Sequence, residues 1–401
     1  MTDTKKKILV ITPKMPFPKT GACEQDRGWG IEDLVRLGYD VRVIAKASVE
    51  KVSHAAVESA RLGIPLTAIP YTSSASRHTP KKILKRLVSP WLWDGAAVEY
   101  YDPAIQDEVK RALDEFNPDL VWFDYTYLWP LYSLVKKKRI PIITRSINFE
   151  PHHFLGEEGV SFVNLLKFLP KLLSEFLTVW KSDLILAITP REEQAYKRMG
   201  AAVKNLPLRG LPHVLAEKRR IMPHDPVHVF FFGSTYNVSH NRHALEFILF
   251  KIVPLAEKKA PGSFVFHILG SKMPEDLRRF CTGSVMYEGY VSDLDAFVVK
   301  MDIALMPSFI GARGMQGKIF EPLARGVPLI TNSQALAGYP FEASREYLAA
   351  TSEEEFVHAM IALKDPVLRA EISSNSIARC RELFSQNALD AILAESINSL
   401  I

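Results

Sequence analysis

The chain has 401 residues, 47% of them apolar and 24% charged, with a formal net charge of +5. That length exceeds one ordinary core and suits two domains, and the composition is that of a folded soluble protein rather than a disordered one. Three cysteines, Cys23, Cys281 and Cys380, are too far apart for a disulfide framework or a zinc cluster, so a reducing, cytoplasmic setting is expected.

The basic start of the chain leads directly into an apolar run at 8–11, too short for a secretory core, and no run approaches the 18 or so residues of a membrane span. The first half then alternates strands with helices. Strands are predicted at 8–11, 41–45, 119–123, 141–144 and 184–188, and helices at 28–37, 103–115 and 131–137. Strands apolar on both faces, separated by helices, argue for a parallel sheet covered on both sides. Prolines at 207, 212, 223 and 226 mark a linker over 206–225. The pattern restarts with strands at 227–233, 264–269, 285–287, 303–306 and 329–330. The expected domains are 1–207 and 208–386, each doubly wound and Rossmann-like.

The positive excess lies entirely in the first 207 residues, which points to an anionic partner there: a phosphorylated acceptor or a lipid surface before nucleic acid. Two stretches combine basic and large apolar residues. One runs from 77 to 93, with Lys81, Lys82, Lys85 and Arg86 beside Trp91 and Trp93. The other, 162–180, is rich in Leu and Phe but is interrupted by Pro170. Either composition suits a membrane interface. A buried helix face accounts equally for the second.

The densest motif is the run from Gly311 to Thr331. Gly311, Gly314 and Gly317 precede a predicted helix that opens with Lys318 and carries Glu321 one turn on. Unpaired N–H groups and the helix dipole favour an anion at such an end, and Lys318 adds a full charge. A carboxylate beside a phosphate is repelled by it, so Glu321 suits neutral hydroxyls such as those of a ribose. The run reads as a nucleoside diphosphate site. It resembles the donor site of GT-B glycosyltransferases, specifically glycosyltransferase family 4 (glycosyl transferases group 1). The matching residues are the glycine-rich loop from Gly311 to Lys318, then Ile319, Glu321, Gly326, Pro328 and Thr331.

The resemblance implies an α/β fold of two doubly wound domains facing across a cleft, with a last helix, 387–401, returning to the first domain. It implies retaining transfer of a sugar from a nucleotide-diphosphate donor to a sugar or lipid-linked acceptor, with no cofactor and no catalytic metal. Donor contacts would come from Gly233, Ser234, Tyr290, Val291, Gly311, Arg313, Gly314, Met315, Gln316, Gly317, Lys318 and Glu321. Lys318, Glu321 and Arg242 would carry the catalytic charge. Many members have a glutamate where this chain has Arg313. Gly21, Arg27, Asp124, Asn148 and Glu150 would face the acceptor. The histidine that relatives show near this last group falls on Ser146.

Asp293 and Asp295 have the spacing of a metal-binding pair but begin a predicted helix, where aspartates cap. Two rivals share the fold: a nucleotide-sugar 2-epimerase using Glu24, Asp124 or Glu150, and a non-catalytic partner subunit. The loop after residue 11 lacks the glycine fingerprint of a Rossmann dehydrogenase, and no Walker loop is present. A cytoplasmic protein, peripheral at the inner membrane face, acting in cell-surface polysaccharide or glycolipid synthesis, is the resulting expectation, with no nucleic-acid partner.

Overall fold

The computed structural model describes residues 5–19, 21–71, 88–89, 92–308 and 314–401. The chain forms two compact units. The first comprises 1–155, 159–210 and 386–401, and the second 211–385 with 156–158.

The first unit is built on a seven-stranded sheet in the order β3-β2-β1-β4-β5-β6-β7, and every pairing is parallel. Its strands are β1 (Lys7–Thr12), β2 (Asp40–Ala47), β3 (Leu66–Pro70), β4 (Leu120–Phe123), β5 (Ile142–Ser146), β6 (Leu184–Ala187) and β7 (Val203–Asn205). Successive side chains of a strand point to opposite faces. Ile8 and Val10 therefore enter one core with Val41, Val43 and Ile31, while Leu9 and Ile11 enter another with Val109, Leu113 and Phe123. Burial on both faces is the reason the strands read as continuous apolar runs.

Leu389, Leu393 and Ile397, spaced by four on the helix Gln386–Asn398, complete the first of these cores. Gln386 donates to Asp33 at 3.0 Å, and Arg36 pairs with Asp390, so the helix is tied to Ala22–Arg36 by polar contacts as well.

The second unit repeats the plan with a six-stranded parallel sheet in the order β10-β9-β8-β11-β12-β13. Here β8 is Val227–Thr235, β9 Phe264–Ser271, β10 Val285–Gly289, β11 Ile303–Leu305, β12 Leu329–Thr331 and β13 Leu348–Ala349. Each sheet reverses its strand order once, between β1 and β4 and between β8 and β11. Ligands of doubly wound sheets bind beyond the C-terminal strand ends at such a switch point.

Two local expectations are corrected. The first helix begins at Ala22, ahead of Gly28, because Gly21 takes the extended N-cap conformation. The helix Phe162–Lys181 runs through Pro170 without a break. Its inner face is fixed by Ser174, Glu175 and Thr178, all buried, and that packing offsets the lost backbone hydrogen bond. Among the described residues no helix is long and apolar enough to cross a membrane.

Candidate active site

The switch point of the second unit gathers the motif residues. β8 ends at Gly233, Ser234 and Thr235, and the helix Gly317–Ala324 begins beyond β11. Gln316 is the extended N-cap residue of that helix, and no side chain caps it. Gly314 has φ +79°, which only glycine adopts readily. Gly311 and Arg313 lie outside the described residues.

Lys318 is the second residue of the helix, and its Nζ donates to Asn241 Oδ1 at 2.8 Å. Asn241 is buried, and its Nδ2 donates to the Thr235 carbonyl at 2.9 Å, which fixes the amide orientation. A side chain at Gly233 would come within 3.1 Å of that amide, so the end of β8 is shaped around it. Burial lowers the Lys318 pKa to about 8.

Glu321 lies one turn further on. Its Oε2 accepts from Arg325 at 3.0 Å, and its Oε1 lies over Gly317, where a Cβ would come within 2.9 Å. Burial raises the carboxyl pKa, while Arg325 opposes the shift. Met315 is buried. Tyr290 and Val291 follow β10, with Tyr290 exposed.

Arg242 is arranged differently from the expectation. One step round the helix Ser239–Phe247 from Asn241, it pairs with Glu246 at 2.8 Å and with Asp276. Its charge is taken up there, and Asn241 is the residue that meets Lys318. Asp293 caps the helix Leu294–Val298 by accepting from the Ala296 N–H at 2.9 Å, and Asp295 pairs with Arg325 at 2.7 Å. Among the described residues no cluster of three His, Cys, Asp or Glu is placed to hold a metal.

At the switch point of the first unit, Pro13 and Lys14 follow β1, Tyr125 and Tyr127 follow β4, and Asn148 follows β5. They line a cavity of about 520 Å³ together with Arg27 and Tyr71. Gly21 N-caps the first helix, which carries Arg27.

Two predicted acceptor contacts are already engaged in the fold. Asp124 is buried, and its Oδ1 accepts from Trp122 Nε1 at 3.1 Å and from Arg209 at 3.0 Å. Glu150 is buried and accepts from the hydroxyls of both Tyr125 and Tyr127.

Asp124 belongs to a closed ion network that the sequence did not reveal. Asp26 binds Arg209 at 2.9 Å and Arg145 at 3.3 Å, and all four side chains are buried. Two cations face two anions, so the network compensates itself. The arginines hold the Asp26 carboxyl well below the usual carboxylate range, against burial, which acts the other way. Gly30 makes room for Arg209, whose Nη1 would stand 2.0 Å from a Cβ there. Arg209 comes from the segment read as a linker, where nothing in the sequence signals burial.

Residues 226–365 match the family model described as Glycosyl transferases group 1. A comparison with curated protein sequences finds no match. Among solved structures, Anabaena HepE in complex with UDP superposes with a TM-score of 0.67 at 16% identity, covering 98% of this chain and 100% of its own. Sucrose-phosphate synthase from Thermosynechococcus elongatus gives a TM-score of 0.68 at 13% identity, covering 99% of each chain. S. aureus TarM, as a mutant in complex with fondaparinux, alpha-GlcNAc-glycerol and UDP, gives 0.66 at 10% identity over 98% of this chain and 99% of its own. Residues 226–365, within the second unit, are thus similar to the glycosyl transferases group 1 family, and the chain as a whole has the two-domain α/β GT-B fold.

Proposed function

We propose that the protein is a glycosyltransferase that moves a sugar from a nucleotide-diphosphate donor to an acceptor hydroxyl, with retention at the anomeric carbon. The observation that carries this reading is Lys318 on the first turn of an uncapped helix at a switch point, oriented by a buried asparagine. A diphosphate at that helix end meets a cation and unpaired N–H groups together. In the transfer the bond from the sugar to the diphosphate breaks and the acceptor oxygen takes its place. Lys318 and the helix end stabilise the departing charge, and the leaving phosphate takes the acceptor proton. Glu321, over Gly317, is the group for the ribose hydroxyls.

UDP, named with HepE and TarM, is the first probe for this chain. Thermal shift with UDP, GDP and ADP should give one clear increase, lost in Lys318→Ala. An unchanged shift in that variant would remove the donor assignment. Transfer is expected to survive EDTA; inhibition reversed by manganese would instead make Asp293 and Asp295 metal ligands. Two of the three carboxylates open to the 2-epimerase rival, Asp124 and Glu150, are held by Arg209 and by two tyrosines, which leaves Glu24 alone for that chemistry.

A peripheral membrane location, with a role in cell-surface polysaccharide or glycolipid synthesis, belongs to the same proposal. It is supported by the helix Phe162–Lys181, where Phe162, Leu166, Leu169, Phe176 and Trp180, spaced by four, three, seven and four, are all exposed, Trp180 at 81%. An apolar stripe ending in a tryptophan beside the exposed Lys167 suits the headgroup level of an anionic bilayer. Nearly all of the basic stretch 77–93, apart from residues 88, 89, 92 and 93, lies outside the described residues. Co-sedimentation with phosphatidylglycerol vesicles should fall when Phe162 and Trp180 are both changed to serine. Equal binding by that variant would exclude the stripe as the membrane contact.

A further inference from the structure

The cavity at the β1/β4 switch point contains a buried guanidinium with unpaired nitrogens. Arg27 lines it and is only 3% exposed, and its Nε and Nη1 are buried without a hydrogen-bond partner. Three nearby carboxylates are engaged elsewhere, Asp26 by Arg145 and Arg209, Asp124 by Arg209, and Glu150 by Tyr125 and Tyr127, while Glu99 lines the same cavity without hydrogen bonding to the Arg27 Nε or Nη1. The buried network beside Arg27 closes to zero charge without it, so this guanidinium is no part of that network. A buried cation without a partner costs the fold several kcal/mol, and such a group in a cavity calls for an anion from outside the chain.

The rest of the lining describes what carries that anion. Lys14 adds a second positive charge from the exposed side of the cavity. Asn148 is a group that takes sugar hydroxyls, and the rings of Tyr71, Tyr100 and Tyr127 give flat walls. The volume, about 520 Å³, falls within the range of small-molecule sites.

We propose that this cavity binds an acidic group of the acceptor, so that the acceptor is a sugar carrying a carboxylate or a phosphate monoester. Arg27 holds the acidic group through its planar fork, and the hydroxyls meet Asn148. That the bound molecule is an acceptor rests on the glycosyltransferase reading. The anion site itself does not.

The test uses the full chain and three probes, glucuronate, glucose 6-phosphate and glucose, titrated by ligand-observed NMR with and without UDP. At least one acidic probe should bind about tenfold or more tighter than glucose, since a charge-assisted bond is worth at least that. The stronger of the two tells carboxylate from phosphate. Arg27→Met should bring the acidic probes to the level of glucose and, without ligand, leave the melting temperature unchanged or higher, because it removes an unpaired buried charge. Arg27→Lys should keep part of the preference. No preference in the parent, a preference that survives Arg27→Met, or a melting temperature several degrees lower in that variant would each overturn the assignment. UDP binding in the same samples, with Lys318→Ala, reports on the donor reading separately, so failure of one leaves the other decided by its own measurement.

Discussion

Lys318 gives the donor site a pH dependence whose size follows from its surroundings. Burial lowers the ammonium from its ordinary 10.5 to about 8 in the free protein. A bound diphosphate favours the charged form and raises that value again. Binding therefore takes up a proton on the alkaline side of 8, and affinity weakens as pH rises through it. At pH 9 only about a tenth of the molecules keep the charge, so the dissociation constant should rise about tenfold between pH 7 and pH 9. The phosphates are fully ionised across that window, with a last pKa near 6. Calorimetric titration with the best-binding of UDP, GDP and ADP measures the change. Lys318→Arg is the control: its guanidinium does not titrate, so any slope left in it belongs to the ligand. A flat profile in the parent, or an equal slope in Lys318→Arg, would refute the role given to this lysine.

Three further outcomes are expected. Glu321→Gln should weaken nucleoside diphosphates while sparing inorganic pyrophosphate, because only the former has a ribose; equal loss for both would remove the ribose role. Asp26→Ala leaves Arg145 buried without its carboxylate and Arg209 with Asp124 alone, and should cost about 3–5 kcal/mol in urea unfolding; a loss below 1 kcal/mol would mean that Asp26 is not what holds the two arginines in place. Glu175 and Glu192 are buried carboxyls raised to about 8, first by burial. The unfolded chain releases these protons near 4.5, so this stabilising contribution is complete below that pH and is lost as pH rises to about 8. Glu175→Gln should flatten the fall in urea midpoint between pH 5 and pH 8, and an unchanged slope would show that this carboxyl is already ionised in the fold.

What the sequence determined by itself is what depends on near neighbours in the chain. The doubly wound units are legible because central strands such as 8–11 and 227–233 are buried on both faces and read as apolar runs. The edge strands β3, β7 and β13 are short and only partly covered, so they leave no such run and went unread. The helix opening at Lys318 was legible because glycines, lysine and glutamate all lie within one turn of it. The tertiary structure alone decided which charges are available. Asp124 and Arg242 looked like free polar groups at strand and helix ends, yet Arg209, 85 residues away from Asp124, and Asp276, 34 residues away from Arg242, take up their charges. Arg27 is the converse case, one arginine among many in the sequence. It acquires its meaning only because the fold buries it in a cavity wall and leaves its Nε and Nη1 without partners. Pairing between charges is a long-range property: burial strengthens it and fixes its geometry, and neither can be read from spacing along the chain.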